Sequence, residues 1–123
     1  MAGDLSEISK ALEEYTEDVS EAIKQSAIDI GTDGVKALKT TKLPKKTGAY
    51  RRGWKKKVKS GANFINVKIH NAKHYRLTHL LEYGHATSTG SRTKAIPHIA
   101  PVEKTIQVDF VKEVETIIAN GGN

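Results

Sequence analysis

The sequence predicts an α+β domain: a long N-terminal amphipathic helix, a small antiparallel sheet with a short helix, and a C-terminal helix packed on one face. Three observations predict it. Apolar residues recur mostly every three or four positions between Leu5 and Leu38, the spacing becomes alternating between Trp54 and Ile69, and three-to-four spacing returns from Val102 to Ile118. At 123 residues and 37% hydrophobic content, the chain suits one domain, residues 1–123, with a modest core.

The first helix is expected over 4–40. Leu5, Ile8, Leu12, Tyr15, Val19, Ile23, Ala27, Ile30 and Leu38 form its apolar stripe, and Asp4 with Glu7 makes a capping box at its start. Glu13, Glu14, Glu17, Asp18 and Glu21 mark an acidic face on the same helix. Gly31 and Gly34 each weaken a helix by about 1 kcal/mol relative to Ala, which predicts a bend or break near Gly31. Pro44 closes the region, and residues 42–48 read as a connecting loop.

A basic β-hairpin is expected over 47–70. Trp54, Lys56 and Val58 alternate with Lys55, Lys57 and Lys59, the chain turns at 60–63, and Ile65, Val67 and Ile69 then share one strand face. Residues 74–84 predict a short helix that buries Leu77, Leu80 and Leu81 and ends at Gly84. Residues 85–96 read as a flexible loop of small and polar residues, with weak signs of a further strand pair. Pro101 opens the last helix, 101–120, whose buried face is Val102, Ile106, Phe110, Val114, Ile117 and Ile118.

Net charge is +6 and unevenly placed. Residues 1–33 hold nine acids and two bases, whereas residues 34–81 hold fourteen Lys or Arg and no acid. Such a split favours pairing of acidic and basic surfaces, within a subunit or between neighbours, and its main effect is on orientation and partner choice. The chain has no cysteine, which removes disulfides and thiolate chemistry from consideration. No apolar run reaches the roughly 20 residues of a membrane span, and the acidic N-terminus lacks the order of a signal peptide, so no membrane partner is expected.

Two motifs carry more information than composition. Residues His79-Leu80-Leu81-Glu82-Tyr83-Gly84-His85-Ala86 lead through Gly90 and Arg92 to Pro97-His98-Ile99-Ala100-Pro101, and Thr47-Gly48-Ala49-Tyr50-Arg51-Arg52-Gly53-Trp54 precedes the basic strand. Together these segments resemble the head-tail joining, or tail-completion, family of long-tailed bacteriophages. The resemblance runs from about Thr47 to the end of the last helix.

It implies a structural virion protein of the neck, made in the host bacterial cytoplasm. Such a protein completes the tail and joins it to the head connector by ring assembly around the DNA channel. The implied partners are copies of itself in a ring of six or twelve, a portal-side connector protein, and a tail terminator or tail-tube protein, with transient non-specific proximity to DNA. His79, Glu82, Tyr83, His85, Arg92, Pro97, His98 and Ile99 are then candidates for subunit or connector contacts.

Other chemistries have weaker support. Ten of the residues from Lys39 to Lys59 are Lys or Arg, with Tyr50 and Trp54 interleaved, so a nucleic-acid-binding module using residues 39–59 is the alternative. Arg51, Arg52, Trp54, Lys55, Lys57 and Lys59 would form that basic strand surface. We favour contact with an acidic neighbour, because the chain carries its own counter-charge and no nucleic-acid motif. Of His70, His74 and His79, the first ends a strand and the second begins the next element, so those two share no helical face, and neither a metal nor a cofactor is expected. His85, Ser88, Ser91 and Glu82 can be nominated as a hydrolytic set, but they lack a strained nucleophile turn and oxyanion donors, so no enzyme is expected.

Overall fold

The computed structural model describes residues 5–41, 48–71 and 74–122. Its elements are β1 (Leu5–Ala11), α1 (Glu17–Thr40), α2 (Gly48–Arg52), β2 (Lys55–Gly61), β3 (Phe64–His70), α3 (Tyr75–Tyr83) and α4 (Ile99–Ala119). The strands form one antiparallel sheet in the order β1-β3-β2. The chain is thus α+β, with a long helix near its N-terminus, a small sheet, a short helix and a C-terminal helix.

The first corrected expectation is the helix start. Residues 5–11 form a strand that pairs with β3, placing Ile8 opposite Val67 and Ala11 opposite Phe64. The spacing Leu5, Ile8, Leu12 fits a helix, but a strand needs only Ile8 buried, and Leu12 then enters the core just beyond the strand's end. Ser6 and Ser9 are indifferent helix formers, whereas pairing satisfies the backbone along that edge of β3. A turn follows, closed by the Tyr15 N–H donating to the Leu12 carbonyl at 3.1 Å. Thr16 then caps α1, its Oγ1 accepting from the Val19 N–H at 3.3 Å. The capping role expected of Asp4 falls outside the described residues.

α1 runs unbroken through Gly31 and Gly34, against the expected bend. A Cβ on Gly31 would lie 2.6 Å from Val67 Cγ1, and one on Gly34 would lie 2.6 Å from Ile69 Cδ1 and 3.2 Å from Ile106 Cγ2. The glycines are there for close approach: they let the helix lie directly on β3 and beside α4. Gly31→Ala gains helix propensity of about 1 kcal/mol but overpacks a stiff β-branched side chain at a cost of about 1–3 kcal/mol. We expect a lower urea midpoint for Gly31→Ala and for Gly34→Ala alike, since Ile69 Cδ1 can yield but Ile106 Cγ2, a methyl on a branched Cβ, also crowds the second position.

The core lies between the sheet and the helices. Ile65, Val67 and Ile69 point from β3 into Ile23, Ala27 and Ile30 of α1 and Ile106, Phe110 and Val114 of α4. Burying each large side chain contributes about 1.5–3 kcal/mol. Paired residues of an antiparallel ladder share a face, so Lys56 and Val58 lie on the helix side with Ile69 and Val67. Lys56 reaches across to donate from Nζ to Thr32 Oγ1 on α1.

The expected 47–70 hairpin is corrected at its beginning. Residues 48–52 form the helical turn α2, and the two strands begin only at Lys55 and Phe64. α3 ends as anticipated at Gly84, which adopts φ 72°. α4 starts at Ile99, two residues before Pro101, so the proline lies within the first turn and not at its first position. The 85–96 segment, expected to be a flexible loop, is internally bonded. Ala86 and Arg92 form an antiparallel bridge, and the Thr87 and Thr93 N–H groups donate to the Ser91 and His85 carbonyls, each at 2.8 Å.

Candidate assembly site around the Glu82 anchor and the lysine face

One carboxylate ties the start of α4 back to α3, beside a backbone bond from the Ile96 N–H to the Leu81 carbonyl at 2.7 Å. Glu82 Oε1 accepts from the backbone N–H of His98 at 2.7 Å and of Ile99 at 2.8 Å, and Oε2 accepts from Ala100 at 3.1 Å. A helix start leaves four backbone donors without intrahelical partners. In α4 three of them go to Glu82, and the fourth position is Pro101, which has no N–H. His98, the N-cap, supplies no side-chain cap, and the first turn contains no acid of its own.

The position of Glu82 makes sense only through this contact. It sits in the last turn of α3, where a negative charge meets the negative end of its own helix. The positive N-terminus of α4 offsets that cost. With Glu82 5% exposed, little solvent screens the attraction.

His98 extends the network. Its Nδ1 lies 3.0 Å from the Ile96 carbonyl and 3.0 Å from Glu82 Oε1, both acceptors, so Nδ1–H donates there. Its Nε2 is 2.6 Å from the Tyr50 hydroxyl. Tyr50 in turn packs edge-on against Trp54 with ring centroids 5.6 Å apart, and against His98 at 5.7 Å. Asn71 Nδ2 donates to the Tyr50 carbonyl at 2.6 Å. The two sequence motifs therefore meet in space: α2 supplies the aromatic wall, α3 the carboxylate, and the Pro97-His98-Ile99 turn the groups they hold.

This arrangement revises the proposed contact residues. Glu82, His98 and Ile99 are buried within their own chain, so they position the loop instead of meeting a neighbour. Tyr83, His85, Arg92 and Pro97 remain exposed around it. His85 is oriented by Thr93, whose Oγ1 accepts from the His85 N–H at 2.9 Å and lies 3.1 Å from Nδ1. The His79 side chain falls outside what is described. Ser91 Oγ bonds to Thr87 Oγ1 at 2.9 Å, and the Glu82 carboxylate faces the start of α4.

The basic strand surface divides in two. Trp54, 1% exposed, belongs to the core, and Arg51 is partly buried. Arg52, Lys55, Lys57 and Lys59 are exposed. The sheet register sets Lys55 beside His70, Lys57 beside Lys68 and Lys59 beside Asn66, with Glu7 on the far strand opposite Lys68. α1 and α4 pack on the other side, so four lysines and one glutamate lie on the open face, together with Phe64 at 40% exposure.

The acidic set is also redistributed. Glu13 and Glu14 lie in the turn before α1, and Glu17 and Asp18 in its first turn, where they favour the helix N-terminus. Glu21 pairs with Lys24 at 3.5 Å on the surface. The five acids surround one helix end and do not form a lengthwise face. Tyr50 and Asn71 carry roles in the anchor that sequence reasoning did not assign.

Among the described residues no group of three or more His, Asp or Glu side chains is placed to hold a metal ion, and no helix is long and apolar enough to cross a membrane.

The site of this α+β domain is thus a loop end fixed by Glu82 beside an open, charged sheet face. The chain belongs to the HK97-gp10-like family, whose model matches residues 6–84 and is described as "Bacteriophage HK97-gp10, putative tail-component". Comparison with curated proteins and with solved structures finds no significant match. Membership makes the chain a phage tail component, a structural protein that works against other virion proteins. The match takes in β1, α1, the sheet and α3 with Glu82.

Proposed function

We propose that this protein completes the phage tail at the neck and joins it to the head connector, as a closed ring of six or twelve copies around the DNA path. Its action is assembly without catalysis. Family membership supports the tail part of this reading, and the open lysine face carries the rest. A two-layer domain that covers only one side of its sheet leaves the other side available for a neighbour. Identical subunits that present unlike surfaces to each other close into a ring when the rotation between them fits.

Tyr83, exposed at the end of α3, and His85, Arg92 and Pro97 on the loop that follows, which Glu82 pins at its far end, are the candidates for contact with the connector, the tail terminator or the tail tube. Phage lacking the chain should accumulate filled heads and separate tails, counted by electron microscopy. Normal numbers of joined, infectious particles would contradict the reading.

The second reading, nucleic-acid binding, is favoured by the lysines and Phe64 on one open sheet face. Trp54 contributes nothing to it, being buried. On the neck reading, binding to random duplex DNA is weak and lost by roughly 0.2 M salt. Tight binding that survives such salt and is lost in a Lys57→Glu, Lys59→Glu chain would favour the second reading instead.

A further inference from the structure

α1 and α4 run antiparallel on the side of the domain away from the lysine face, and a groove lies between them. Two depressions of about 190 and 370 Å3 share Ile30 and Asp33 and together extend along both helices. The floor includes Gly34, Val102, Ile106 and Ile117, and the banks carry Asp29 and Asp33 from α1 and Asp109 and Glu113 from α4. No Lys or Arg lines either depression.

We propose that this acid-banked groove receives the lysine face of a second copy of the chain. The inference rests on the tail-assembly reading and assigns the two surfaces that reading requires. Three features select this occupant. Charge is complementary: four acids bank the groove, and Lys55, Lys57, Lys59 and Lys68 stand on the open sheet face.

Spacing also agrees. Alternate residues of a strand are about 6.8 Å apart, and residues four apart on a helix rise about 6 Å, so the β2 lysines step along at nearly the interval of Asp29–Asp33 and of Asp109–Glu113. Finally, the open face includes an apolar group to meet the groove floor. Phe64 lies over Gly61, where an added Cβ would come within 2.7 Å of the ring. Because the two surfaces lie on opposite layers of one domain, the contact is head to tail and repeats from copy to copy. Polyanions are repelled from the groove by the same acids.

The absence of cysteine allows a clean test. Asp33→Cys and Lys57→Cys are placed together in one chain, and purified virions carrying it are treated with a short bis-maleimide. The expected product is a ladder of covalent dimers, trimers and larger species. Each single variant should stay monomeric, since a head-to-tail contact never juxtaposes two copies of one position. Monomer alone from the double variant, self-linkage of a single variant, or linkage only to a different virion protein overturns the proposal.

Charge exchange gives a second readout that does not depend on the thiols. Lys57→Glu with Lys59→Glu should lower infectious yield at least about tenfold, and adding Asp33→Lys with Asp109→Lys to that chain should recover most of the loss. No recovery overturns the proposal. If the unaltered chain is missing from virions, the tail-assembly reading fails and this inference with it; a chain present in virions whose copies do not cross-link overturns this inference alone.

Discussion

Glu82→Ala is expected to lower the unfolding free energy by about 3–5 kcal/mol, enough to consume much of the 5–15 kcal/mol typical of a domain. The carboxylate accepts from three backbone donors at the start of α4. Its removal leaves the His98 and Ile99 N–H groups in a buried pocket and the Ala100 N–H at its partly buried edge, and each hydrogen bond to a charged partner is worth about 1.5–3 kcal/mol, less when several are lost together. Glu82→Gln should fall between Ala and wild type. One amide oxygen can still serve two donors, but the NH2 group then faces a third. Urea unfolding followed by Trp54 emission gives the order directly, and hydrogen exchange at Ile99 and Ala100 should quicken in both variants. A loss below about 1 kcal/mol for Glu82→Ala would mean that solvent reaches these donors and that the anchor is not one.

Trp54→Ala should cost about 3–5 kcal/mol, the range for emptying a large aromatic site in a packed core. Trp54 stacks edge-on with Tyr50 and His98, at 5.6 and 6.4 Å between centroids, so its loss also loosens the wall against which the α4 start is held. Trp54→Phe should cost clearly less, because a ring remains to meet Tyr50. Circular dichroism is the readout here, as the chain has no other tryptophan. If Trp54→Ala unfolds at the wild-type midpoint, the residue is a surface group and the basic-strand expectation regains its sixth member.

The class of fold was legible because its periods are: alternation around Ile65, Val67 and Ile69, and three-to-four spacing through Val19, Ile23 and Ala27, leave little choice of element. The first strand was not. Leu5, Ile8 and Leu12 are too few to separate the two periods, and what decides the matter is an unpaired edge of β3 more than fifty residues away. Gly31 and Gly34 show the same limit. Read locally they weaken a helix, whereas in the fold they set its distance from Val67 and Ile69.

The anchor was half legible. Glu82, Gly84, His98 and Ile99 stood out as a motif, but an acid near a helix end reads as exposed, and its partners lie sixteen to eighteen residues further on. A usable signal existed in α4. A helix opened by His98 without a capping side chain, and without an acid in its first turn, must find an acceptor elsewhere, and Glu82 is the carboxylate of the preceding motif. Tyr50 and Asn71 had no such signal, since nothing near them in sequence marks a contact with a turn or a backbone carbonyl across the fold.

The most direct test of the whole account is a reconstruction of the virion at the junction of head and tail, at a resolution that shows side chains. It should contain a rotationally symmetric ring of this chain, with each Glu82 capping α4 of its own copy and each lysine face seated against the α1–α4 groove of the next. A ring joined through Glu82 and His98 across subunits, or a junction built without this chain, would contradict it.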